Sequence, residues 1–141
     1  MRFWDTSAVV PLCVREPASP AARRLLAPDP AMATWWATRT ECVSALARRR
    51  RERGLTGGGE ERARRVLEVL AAAWSEILPS EALRDRAERL LAVHPVRAGD
   101  AFQLAAALVW THGRTRGRAF VCLDERLREA ARREGFRILP A

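Results

Sequence analysis

Four acidic residues, Asp5, Glu41, Asp100 and Asp124, stand where acidic residues are seldom found. Asp5 sits in "RFWDTSAVV", Asp100 opens "DAFQLAAAL" and Asp124 ends "AFVCLD", so three of the four interrupt otherwise apolar segments. Glu41 lies in a helical stretch whose residues three and four positions away, Ala37, Thr38, Ser44 and Ala45, are all small and leave open space around it. A carboxylate in apolar surroundings is costly unless it is hydrogen-bonded, paired or bound to a metal. Each has a plain use as well: Asp5, Asp100 and Asp124 can cap helices, and Glu41 can be a solvated helix residue. If the four converge, their charges repel, and a shared cation relieves the repulsion. Hard oxygen donors with no cysteine or histidine beside them suit Mg²⁺ or Mn²⁺ rather than zinc. That chemistry serves phosphodiester hydrolysis, in which metal ions activate water and stabilise the leaving oxygen while arginines hold the backbone.

Convergence depends on the elements that carry these residues. Phe3-Trp4 reads as the end of a first strand, and "DTS" after it offers side-chain oxygens to a helix from Ser7 to about Val14. A second helix covers Pro17 to Leu26, and "MATW" (32–35) is a short strand followed by a long helix from Trp36 to Arg53 that Gly54 ends. The glycines 57–59 read as a mobile turn before a helix from Glu60 to Trp74. "EILP" (76–79) is a strand and Ser80 to about Ala92 a helix. The segment from Ala98 to about Thr111 is a helix apolar nearly all round, which belongs in the middle of the protein. "AFVCLD" (119–124) is a buried-type strand, "ERLREAARREG" an amphipathic helix and "FRILP" a last strand. Strands alternating with helices predict a parallel sheet covered on both faces. Asp5 and Asp124 then fall at the carboxyl ends of strands, the edge where open α/β sheets bind ligands.

The chain has 141 residues, the size of one domain spanning 1–141 that buries a core without disulfides. Cys13, Cys42 and Cys122 are far apart, form no C-x-x-C pair and read as small core residues. No apolar run approaches the roughly 20 residues that span a bilayer, and the start lacks a secretory signal, so the expected location is cytoplasmic, without a membrane partner. Net charge is +8 with a pI of about 11.3, which favours a polyanionic partner. All 25 basic residues are arginine, and lysine, asparagine and tyrosine are absent, a bias that weakens any count of arginines as RNA-binding devices. Arg48 and Arg49, in the run that ends the long helix, and Arg114 and Arg116, in a loop, are the candidate RNA contacts. For the run, a solvated helix end favoured by the dipole is the plain alternative.

Other chemistries fit poorly. The histidines, His94 before a proline and His112 at a helix end, form no Ser-His-Asp arrangement and read as structural or exposed. Trp35, Trp36, Trp74 and Trp110 lie on apolar faces and read as core or dimer contacts rather than base-stacking platforms. A phosphoacceptor signalling domain needs a lysine beside its acidic pocket, and this chain has none. A haloacid-dehalogenase-type phosphatase needs a second aspartate two residues after the first, where Ser7 stands here.

"FWDTSAVV", Glu41 in "TECVSALARR", "DAFQLAAAL" and "FVCLDERLREAARREGFRILP" resemble, in order, the signatures of PIN-domain ribonucleases, particularly the toxins of VapBC-type toxin–antitoxin pairs. The resemblance runs from the first strand to the last. It implies an α/β/α sandwich around a parallel sheet of four or five strands and an Mg²⁺- or Mn²⁺-dependent endoribonuclease. Asp5, Glu41, Asp100 and Asp124 would be its acidic quartet, with Thr6 or Ser7 beside them. It also implies an RNA substrate, a VapB-type antitoxin and a homodimer. The family usually carries threonine or serine two residues before its last aspartate; here that residue is Cys122, so a supporting hydroxyl is missing. Glu125 is the fallback ligand if the register around Asp124 differs. The alternatives are a PIN-fold RNA-processing nuclease without a toxin role and a non-catalytic nucleic-acid-binding module.

Overall fold

Phe3 and Trp4 are adjacent and both fully buried, yet they belong to different cores, because successive residues of a strand face opposite sides of a sheet. In the computed structural model, which describes residues 1–141, this first strand, β1 (Arg2–Trp4), is the centre of a five-stranded sheet. The other strands are β2 (Met32–Trp35), β3 (Ser75–Ile77), β4 (Ala119–Val121) and β5 (Arg137–Leu139), in the order β3-β2-β1-β4-β5. All pairings are parallel; Phe3 is in register with Ala33 on one side and with Phe120 on the other.

Seven helices cover the two faces. Helices α1 (Thr6–Cys13), α2 (Ser19–Leu26), α3 (Thr38–Arg51) and α4 (Gly57–Ala73) enclose Trp4, Met32 and Val121. Helices α5 (Glu81–Val93), α6 (Ala98–Trp110) and α7 (Glu125–Arg133) enclose Phe3, Trp35, Phe120 and Ile138. This is the expected three-layer sandwich, and the inner strands β2 and β4 are buried throughout because both faces of the sheet are covered there. Helix α6 contributes more buried residues than any other, seven of its thirteen. Ala101, Ala105, Ala106 and Ala107 are fully buried in it, and side chains that small let a helix press close to sheet and neighbours.

Most element boundaries fall within two residues of expectation, but two local readings change. Gly57, Gly58 and Gly59 are not a turn: they are the first turn of α4, which Thr56 caps by accepting the Gly59 N–H at 3.0 Å. The cap offsets the poor helix propensity of glycine. The long third helix begins at Thr38 rather than Trp36 and ends at Arg51, with Arg53 in the left-handed region at φ 61°. Trp36 therefore sits in the connection between β2 and α3, and at 54% exposure it is not a core residue. Trp35 and Trp74 are buried as expected, and Cys42 and Cys122 are fully buried while Cys13 is half-buried. His94 is buried against Glu134, at 2.6 Å from its carboxylate. No helix is long and apolar enough to cross a membrane.

Candidate active site

From β1 the chain winds outward through β2 and β3, then returns across the sheet to β4, which pairs with β1 on its other side. The carboxyl ends of β1 and β4 thus flank the point where the winding reverses, the place where open α/β sheets form a crevice. Asp5 follows β1 directly, its backbone N–H bonded to Val121 O of β4 at 2.9 Å, and Asp124 lies three residues beyond β4. Glu41 comes from the first turn of α3 and Asp100 from the first turn of α6. All four carboxylates line one cavity of about 570 Å³, together with Thr6, Ser7, Glu16, Arg48, Arg49 and Gln103.

The plain capping reading holds for residues that also face the cavity. Asp5 caps α1: its Oδ2 accepts the Ser7 N–H at 2.9 Å, the Ser7 hydroxyl at 2.5 Å and the Cys122 thiol at 3.5 Å. Asp124 caps α7 by accepting the Leu127 N–H on Oδ1 at 2.9 Å. Asp100 Oδ2 accepts the Arg97 N–H at 3.3 Å, and Glu41 Oε2 accepts the Thr6 hydroxyl and, at 2.7 Å, the Gln103 amide. In every case the protein uses one oxygen of the carboxylate and leaves the other without a protein hydrogen bond. None of the four forms an ion pair, in a chain where seven other carboxylates do.

Burial, not pairing, governs the electrostatics of Asp5 and Asp100. It pushes Asp5 up from an ordinary 3.8 to about 6; the two Ser7 bonds pull against it and the Glu41 charge adds to it. Asp100 is raised as well, first by burial, with the Asp124 charge adding to it. The repulsions thus run within two pairs, Asp5 with Glu41 and Asp100 with Asp124.

No three His, Cys, Asp or Glu side chains are gathered closely enough to ligate one ion by themselves. The donor chemistry nonetheless fits a hard divalent cation. Mg²⁺ keeps several waters and is commonly held by only one or two carboxylates, and each pair here offers oxygens that nothing else uses.

The neighbouring residues divide clearly. Ser7 does more than support Asp5: its hydroxyl also accepts the Leu123 N–H at 2.8 Å and so ties the β4–α7 connection to the start of α1. Cys122, in place of the expected hydroxyl, sets its thiol against Asp5 Oδ2 and 3.6 Å from Ser7 Oγ, and burial holds that thiol protonated. Glu125 is 86% exposed in its side chain, pairs with Arg128 at 3.2 Å and lies outside the cavity. Arg48 and Arg49 line the cavity, Arg49 bound to Glu16 at 2.9 Å. Arg114 and Arg116 precede β4 and so lie at the opposite edge of the sheet, where Arg118 stacks over Trp110 at 5.8 Å.

Sequence reasoning passed over Gln103. It is 2% exposed and donates from Nε2 to Glu41, to Thr6 Oγ1 at 3.0 Å and to Thr38 Oγ1 at 3.1 Å. The signal was present: Gln103 is the only polar side chain between Asp100 and the end of α6, and its spacing of three places it on the face of Asp100.

The PIN domain family model matches residues 2–133, nearly the whole chain. The chain belongs to the PIN domain family. Among solved structures, this PIN domain is similar to VapC20 of Mycobacterium tuberculosis, described as a sarcin-ricin loop cleaving toxin, with a TM-score of 0.64 and 18% sequence identity. The match covers 92% of this chain and 95% of that one, so the two share a fold along nearly their whole lengths. A comparison with curated protein sequences finds no match.

Proposed function

We propose that this PIN domain protein is an endoribonuclease dependent on Mg²⁺ or Mn²⁺, and the toxin of a toxin–antitoxin pair. The observation that carries the proposal is the arrangement of Asp5, Glu41, Asp100 and Asp124. They come from four separate elements, line one cavity at the switch point, and form no ion pair in a strongly basic chain. A divalent cation bound by them would supply an activated water and stabilise the leaving oxygen of a phosphodiester. The chain's own residues prepare for this. Ser7 fixes the orientation of Asp5, Thr6 and Gln103 fix that of Glu41, and the Arg97 and Leu127 N–H groups fix Asp100 and Asp124. Arg48 and Arg49 on the cavity wall meet the phosphates of an RNA strand. Neither histidine lines the cavity, so no imidazole serves as base for attack by the 2′-hydroxyl, and the products are a 5′-phosphate and a 3′-hydroxyl.

Cleavage of end-labelled RNA tests the nuclease. Chelation abolishes it and added Mg²⁺ or Mn²⁺ restores it; cleavage in excess chelator, or products ending in a cyclic phosphate, would overturn the mechanism.

The toxin role draws on the VapC resemblance and on the fold shared with VapC20. It brings a homodimer and a protein antitoxin that places an arginine among the carboxylates and an apolar helix on the surface beside them. Expression alone then arrests growth and co-expression of the neighbouring gene relieves it, while Asp5→Asn is harmless alone and still binds the partner. Growth unaffected by the active enzyme, with no partner retained in a pull-down, points instead to a housekeeping RNA-processing enzyme.

A further inference from the structure

Gln103 is held in an arrangement that folding alone does not favour. Its amide nitrogen has two hydrogens and three acceptors within reach, the nearest being Glu41 Oε2 at 2.7 Å. An ionised carboxylate only accepts, so the amide must turn its nitrogen toward Glu41. In that orientation Gln103 Oε1 is buried without any hydrogen-bond partner. A buried acceptor left unpaired lowers stability, a cost offset only by what the amide nitrogen does for Glu41, Thr6 and Thr38. The position is therefore tied to what the amide does for Glu41, not to packing.

We propose that Gln103 is a positioning residue for metal binding. With the Thr6 hydroxyl, it clamps Oε2 of Glu41 so that Oε1 alone is presented to a divalent cation. The clamp joins three elements, α1 through Thr6, α3 through Thr38 and Glu41, and α6 through Gln103 itself. Asp100 stands one turn earlier on the same face of α6, so a single helix holds one carboxylate of the quartet and orients another. Partners that orient a ligand typically contribute about 10- to 100-fold to metal affinity.

This inference rests on the proposed metal site, and the experiment separates the two. Mn²⁺ is titrated by electron paramagnetic resonance into the full chain at neutral pH and at a temperature where every variant is folded. The variants are wild type, Gln103→Met, Gln103→Asn and Asp100→Asn, and RNA affinity is measured in chelator alongside. Gln103→Met keeps the volume and removes the amide; Gln103→Asn keeps the amide and shortens its reach. Both are expected to bind Mn²⁺ about 10- to 100-fold more weakly, while metal-free RNA affinity stays at the wild-type value. A purely structural role would lower melting temperature without changing the affinity of the folded protein for Mn²⁺. Wild-type Mn²⁺ affinity in either folded Gln103 variant overturns the proposal, and should Gln103→Met not fold, Gln103→Asn decides alone. If wild type binds no Mn²⁺, or Asp100→Asn binds it unchanged, the metal site itself is wrong and the role of Gln103 falls with it.

Discussion

Ser7 binds Asp5 twice, through its hydroxyl at 2.5 Å and its backbone N–H at 2.9 Å, and both bonds end on the same oxygen. Helix capping thus uses one oxygen of the carboxylate and leaves the other for the proposed cavity chemistry, and substitutions should separate the two. Asp5→Asn retains an acceptor for the cap and should leave neutral-pH stability unchanged or higher, while cutting RNA cleavage by at least about 100-fold. Asp5→Ala should cut cleavage as far and, lacking the cap acceptor, be about 1–2 kcal/mol less stable than Asp5→Asn in urea unfolding. Equal destabilisation by both substitutions would mean that the charge of Asp5 serves the fold.

The pH dependence follows from the raised value of Asp5, about 6 against an ordinary 3.8. A folded-state value above the unfolded one favours the protonated form of the native protein. The resulting stability is fully present below about pH 3.8 and is lost as pH rises through about 6. Without divalent cation, wild type should therefore fall relative to Asp5→Asn between pH 4 and 7, by up to about 3 kcal/mol. Burial raises Asp100 as well, which acts in the same direction. Added Mg²⁺ at neutral pH should restore wild type but not Asp5→Asn, and cleavage should decline as acid protonates Asp5, at a pH that falls as Mg²⁺ is raised. Paired pH series of chemical unfolding read the first effect; a constant gap between the two proteins would contradict it.

That Asp5, Glu41, Asp100 and Asp124 could share one cavity was legible because each contrasts with its surroundings, and contrast survives in one dimension. The sheet was legible for a related reason: segments as apolar as "AFV" and "MATW" suit strands buried on both faces. Gln103 was visible in the sequence but its role was not, since its partners Thr6, Thr38 and Glu41 lie 97, 65 and 62 residues away. The glycines before Glu60 misled because local propensity favours a turn there, and a single cap from Thr56 reverses it. Arg48 and Arg114 look alike as members of arginine clusters; only the direction of the parallel strands puts one at the cavity and the other at the far edge.

That separation gives a prediction about RNA binding. Arg48→Ala should weaken RNA affinity and reduce the slope of log affinity against log salt by about 0.7, the value for one phosphate contact on a single strand. Arg49→Ala should weaken it less, because Arg49 already pairs with Glu16. Arg114→Ala and Arg116→Ala should leave cleavage near wild type. Salt-dependent binding in chelator measures each, and a larger loss from the Arg114 pair than from Arg48 would place the RNA on the opposite edge of the sheet.

The claim on which the rest depends is that Asp5, Glu41, Asp100 and Asp124 hold a divalent cation, and anomalous diffraction from crystals grown with Mn²⁺ tests it most directly. The account predicts an anomalous peak inside this cavity, with oxygens of at least two of the four carboxylates at about 2.0–2.4 Å and water completing the shell. A cavity free of anomalous density at saturating Mn²⁺, or a peak held only by other residues, would contradict it.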